Sequence, residues 1–111
     1  LLKNLVDWKK SKVMQGELCR GRMAKPFSIK CGVFNMLHRD GKKLRYPSVI
    51  TRAYFSADRK KQIFINPFDL EQSIEFEKIC GMIYDNPDAK GKSFVGSKLT
   101  IQPFSVNILE Y

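Results

Sequence analysis

The chain has 111 residues and carries twenty Lys and Arg against eleven Asp and Glu, a net charge of +9. Its 43% hydrophobic content, with eight Phe and four Tyr, is that of a single folded domain and excludes a disordered polar chain. No apolar run reaches the roughly 18 residues that cross a bilayer, and no signal-peptide pattern is present, so no membrane contact is expected.

Residues 1–13 place Leu1, Leu2, Leu5, Val6 and Trp8 at spacings of three and four, with Lys3, Lys9, Lys10 and Lys12 on other faces. That period predicts an amphipathic helix of about three turns, ended by Gly16. Trp8 reads as a packing residue together with Leu1 and Leu5. The chain opens on Leu inside this pattern, as a fragment of something longer would. The expected organisation is therefore a helix over 1–14 and a β-domain over 15–111.

From Glu17 the period changes to two. "GELCRGRM" alternates Leu18, Arg20 and Arg22 with Cys19, Gly21 and Met23 and is closed by Pro26. A further segment runs from Phe27 through Ile29, Cys31, Val33 and Phe34 to Leu37. "RDGKK" at 39–43 predicts a hairpin turn, because Asp-Gly accepts the positive dihedrals that tight hairpins need. In "YPSVITRAYFS", Val49, Thr51, Ala53 and Phe55 take one face and Ile50, Arg52 and Tyr54 the other.

A turn at 57–60 leads to "KQIFINP", a strand stopped by Asn66 and Pro67. "QSIEFEK" points Ile74 and Phe76 inward and Glu75 and Glu77 outward. "CGMIYD" reads as another strand and "NPDAKGK" as a loop. "LTIQPFSVNILEY" reads as two strands around a proline corner. The sum is an all-β fold, an antiparallel β-sandwich of seven or eight short strands with one N-terminal amphipathic helix.

Chemistry is sparse along this chain. His38 is the single histidine, beside the hairpin turn, so neither a His metal cluster nor a Ser-His-Asp arrangement can be built. Cys19, Cys31 and Cys80 are an odd number without a CxxC pair. They read as buried free thiols, with a Cys19–Cys31 bridge the alternative in an oxidising compartment. Glu75 and Glu77, on the outer face of one strand beside Lys78, read as solvated rather than as a glycosidase pair. No cofactor or metal site is expected, and no catalytic residue.

The basic residues come as scattered pairs and triplets at expected turns, which predicts a solvated surface more than a nucleic-acid footprint. Tyr46 and Tyr54 are the best candidates for a carbohydrate-stacking surface. The same rings beside Arg45 and Arg52 would serve a single-stranded nucleic acid, which combines stacking with phosphate attraction.

The order "QGELCRGRM" with "KP", then "YPSVITRAYFSADRKKQIFINPFDLEQSIEFE", then "LTIQPFSVNILEY" resembles the C-terminal part of (βα)8-barrel glycoside hydrolases related to the α-galactosidase and α-amylase clans. The matching elements fall at 16–23, 50–56, 63–66, 73–77 and 99–109. In those enzymes the last barrel helix leads into an antiparallel β-sandwich. The barrel that would hold the catalytic carboxylates is absent here, so no catalytic residue carries over.

What the resemblance implies is a non-catalytic accessory domain of a larger glycoside hydrolase. It would pack on the catalytic barrel of the same polypeptide, with Leu1, Leu5 and Trp8 at the join, and could contribute to glycan binding. A bacterial polysaccharide-degrading parent would be exported or periplasmic. A basic nucleic-acid-binding β-domain and a free-standing carbohydrate-binding module are the alternatives.

Overall fold

The computed structural model describes residues 22–56, 59–86 and 90–111. The expected helix, with Leu1, Leu5 and Trp8, lies outside the described residues, as does Cys19. The described chain is all-β and antiparallel, as its period-two patterning predicts.

Nine strands follow in order: β1 (Met23–Ala24), β2 (Ile29–Lys30), β3 (Val33–Leu37), β4 (Lys43–Pro47), β5 (Ile50–Ser56), β6 (Arg59–Ile65), β7 (Gln72–Tyr84), β8 (Lys92–Ile101) and β9 (Val106–Glu110). Seven form one sheet in the order β1-β5-β6-β9-β7-β2, with β8 also on β7, while β3 and β4 make a separate ribbon. The described strands outnumber the expected seven or eight because the segment from Phe27 to Leu37, read as one strand, is split into β2 and β3, and Lys43–Pro47 forms β4 of its own.

The region around residue 80 differs most from the sequence expectation. "QSIEFEK" and "CGMIY" are one strand of 13 residues, with a register shift between Glu75 and Ile79 that breaks the alternation. Extra residues of this kind bend a strand and increase its twist. The first half of β7 pairs with β2 and β8, its far half with β9 and β8.

Through β7 the sheet turns back over itself. Phe64 and Leu109 on one wing share a core with Ile74, Phe76, Leu99 and Ile101 on the other. The Phe64 and Phe76 rings are nearly parallel with centroids 6.5 Å apart, and Phe27 packs on both. The expected faces of β5 and of "QSIEFEK" are those observed, since Ala53, Ile74 and Phe76 are buried while Glu75 and Glu77 are exposed.

Among the buried polar residues, Gln62 and Asn66 are wholly enclosed in this interior. Gln62 bonds the backbone of Phe27, the hydroxyl of Thr51 and the hydroxyl of Tyr111. Asn66 closes the turn after β6, accepting from Phe68 N and donating to three carbonyls. No buried side-chain polar atom among the described residues lacks a partner, which is the condition for such groups to be tolerated inside.

Candidate functional site

The β3–β4 ribbon stands apart from the main sheet and carries most of the features that could meet a partner. Gly41, at φ 81°, makes the expected tight turn, and Asp40 Oδ1 accepts from Lys42 N at 3.0 Å. Phe34 and Tyr46 are directly opposite in register and stack with centroids 5.5 Å apart. Phe34 also meets the edge of Phe68, which ties the ribbon to the turn after β6.

Between the ribbon and the start of β5 lies a groove of about 520 Å³, walled by Ile29, Phe34, Tyr46, Pro47, Ile50 and Pro67. Arg52 and Thr51 are its polar edge, and the Arg52 guanidinium is already donating to the Thr51 carbonyl at 2.8 Å. The ribbon also exposes large apolar side chains: by register Leu37, 70% exposed, and Val33, 52% exposed, lie on the face away from Phe34 and Tyr46, while Leu44 shares the Tyr46 face and Ile50 at the start of β5 is exposed at the groove. Arg39, Lys42, Lys43 and Arg45 are exposed on the same ribbon.

The two candidate tyrosines are not brought together. Tyr46 is half-buried in the groove, its hydroxyl in a 3.2 Å hydrogen bond with His38 Nε2. Tyr54 sits on β5, is 3% exposed and packs with Ile63, Val106 and Ile108, so it offers no ring face to a sugar or a base. Its position in an alternating strand reads equally well as either face, and only the second apolar face of the sheet decides it.

Phe55 is likewise engaged, with the Arg22 guanidinium 5.2 Å and the Lys60 ammonium 5.8 Å from its ring centroid. The basic–aromatic interleaving around 52–55 thus serves internal contacts.

A second cleft, of about 600 Å³, runs between β2, β7 and β8 and is lined by Lys30, Glu75, Phe76, Glu77 and Lys98. Glu75 stands opposite Lys30 on one side and Lys98 on the other, so its exposed position is that of a strand carboxylate between two cross-strand lysines. His38 is a surface residue of the hairpin, as expected. Cys31 is free and half-buried, whereas Cys80 is free and exposed, which corrects the expectation of uniformly buried thiols. Cys80 faces outward because it lies beyond the irregularity in β7, past which the simple alternation no longer holds.

Among the described residues no group of His, Cys, Asp and Glu is arranged to hold a metal ion. Comparison with family models, with curated proteins and with solved structures gives no match.

Proposed function

We propose that the chain is a non-catalytic accessory β-sandwich domain of a larger glycoside hydrolase, its two layers being the wings of the folded-over sheet. It packs on the catalytic barrel of the same polypeptide and stabilises it. The observation that carries this reading is apolar exposure on both faces of the ribbon, Leu44 beside Tyr46 on one face and Val33 and Leu37 on the other, next to a groove whose walls are aliphatic, aromatic and proline.

Large apolar side chains exposed on both faces of one hairpin fit a contact with another protein surface. A sugar needs polar side chains around its hydroxyls as well as a stacking ring. Here Tyr46 is the ring, and Arg52 is the charged group on the groove wall. Glycan binding is therefore a secondary role of the same groove, centred on Tyr46.

The charge of the ribbon favours a second reading, a polyanion such as single-stranded nucleic acid lying along Arg39, Lys42, Lys43 and Arg45. Phosphate contacts weaken steeply as salt rises, whereas apolar packing does not.

An antibody against these residues, used to probe a lysate of the source cells, tests the first reading. A band several times heavier than 12.9 kDa supports an accessory domain. A band of that size alone sinks it, and salt-sensitive binding of an oligonucleotide would then select the second reading.

A further inference from the structure

The groove between the ribbon and β5 combines apolar walls with very few polar groups that are still open. Its volume, about 520 Å³, lies within the roughly 300–1,000 Å³ of small-ligand sites. None of the residues that line it is Asp, Glu, Asn or Gln. The Thr51 hydroxyl is already engaged, donating to Ile63 O at 2.9 Å and accepting from Gln62 Nε2 at 2.8 Å. The Tyr46 hydroxyl is held by His38, and the Cys31 thiol is a weak hydrogen-bonding group.

Arg52 is the exception. A guanidinium offers several N–H donors and no acceptor, and here one nitrogen is fixed on the Thr51 carbonyl at 2.8 Å. No carboxylate among the described residues pairs with it. The guanidinium is thus oriented by backbone, charged and exposed at the edge of an apolar groove.

A neutral sugar presents hydroxyls that both donate and accept, and their protons meet no carboxylate or amide acceptor on these walls. A carboxylate only accepts, and its two oxygens match the planar fork of an arginine. We propose that the groove binds a uronic acid residue of an acidic glycan, with the carboxylate on Arg52 and the sugar ring against Tyr46. Tyr46 is a fixed wall for it, stacked on Phe34, which in turn meets the edge of Phe68. The uronate assignment rests on the glycan-binding reading of this groove and narrows it to one class of sugar.

Charge beyond the groove acts in the same direction. The chain is +9, and Arg39, Lys42, Lys43 and Arg45 are exposed on the ribbon. By register Lys43 and Arg45 lie on the face away from Tyr46, so they raise the local concentration of a polyanion without touching the residue in the groove. A single-stranded nucleic acid fits less well, because such strands are held on successive stacking rings. Tyr54 is only 3% exposed, and Phe55 is engaged by Arg22 and Lys60.

The test is calorimetric titration of the 111-residue protein with oligomers of galacturonate, glucuronate and mannuronate, each compared with its methyl ester. At least one acid should bind about tenfold or more tighter than its ester, with the difference shrinking as salt rises. Arg52→Gln should abolish that difference and leave the urea midpoint in place, since Arg52 is exposed. Tyr46→Ala should weaken acid and ester alike. Equal binding of acid and ester, or an unchanged affinity in Arg52→Gln, would overturn the uronate and keep a glycan site. Binding of neither would overturn both. A single-stranded oligonucleotide that binds more tightly than every uronate and is released in Arg52→Gln would also overturn the proposal. The accessory-domain reading is decided separately, by the size of the native polypeptide.

Discussion

Asn66 Nδ2 donates to the Ile101 carbonyl at 3.2 Å, joining the end of β6 to the end of β8 across the fold. The same amide group donates to Leu70 O and Gln102 O, and its carbonyl accepts from Phe68 N. One fully buried side chain therefore satisfies the backbone of both turns that close the two wings.

Replacing Asn66 by Leu leaves the buried Ile101 carbonyl and three part-buried backbone groups without this amide, and a buried group left unpaired costs about 1–3 kcal/mol. The expected loss for Asn66→Leu is about 3 kcal/mol or more, read from urea unfolding. A loss below about 1 kcal/mol would mean that water takes over these bonds and that Asn66 is not the pin.

Tyr46 and Tyr54 look alike in sequence and should behave differently. Tyr54→Ala empties a buried site and should cost about 3 kcal/mol or more. Tyr46→Ala removes one stacked ring from a half-buried position and should cost about 1 kcal/mol. Urea midpoints of the two variants check this, and a larger loss at Tyr46 would contradict the placement of the two rings.

Gly81 lies where β7 crosses against β9, and a Cβ there would collide with the Glu110 carbonyl oxygen. Gly81→Ala should destabilise by about 2 kcal/mol, since backbone must shift to admit the methyl. Gly41 has open space around it, and its alanine variant suffers only from the positive φ, about 1 kcal/mol. Thermal melts of both variants would show the larger drop at Gly81.

Burial raises the pKa of the Tyr111 hydroxyl above the ordinary tyrosine value, and that hydroxyl donates to Gln62 Oε1 at 3.3 Å. The folded chain thus holds this proton to higher pH than the unfolded chain does. The stabilisation is complete below the unfolded pKa and is lost as pH rises through the folded value. Between pH 9 and 11, roughly, unfolding free energy should fall more for the natural protein than for Tyr111→Phe. Equal slopes would place this hydroxyl in water.

Much of the fold was legible because alternation survives wherever a strand has one wet side. Ile74 and Phe76 against Glu75 and Glu77, and the Asp-Gly turn at 40–41, follow directly from the residues. Residues 79–97 were not legible, because β7 changes register after Glu75 and its far half loses the alternation. The role of Asn66 was half legible: its bond to Phe68 N is the local one that a strand-end Asn predicts, whereas its bonds to Ile101 and Gln102 depend on the sheet folding over. Of the candidate site, Tyr46 was found and its setting was not, since the partners that build the groove, Phe34, Pro47, Ile50 and Pro67, meet only in space.

The most direct measurement is hydrogen exchange at the ribbon, comparing the native polypeptide recovered by the antibody with the isolated 111-residue chain. If Val33–Leu37 and Lys43–Pro47 pack on a catalytic barrel, their amides should exchange many-fold more slowly in the native polypeptide, while those of β6 and β9 should differ little. Equal ribbon exchange in the two proteins would contradict the account.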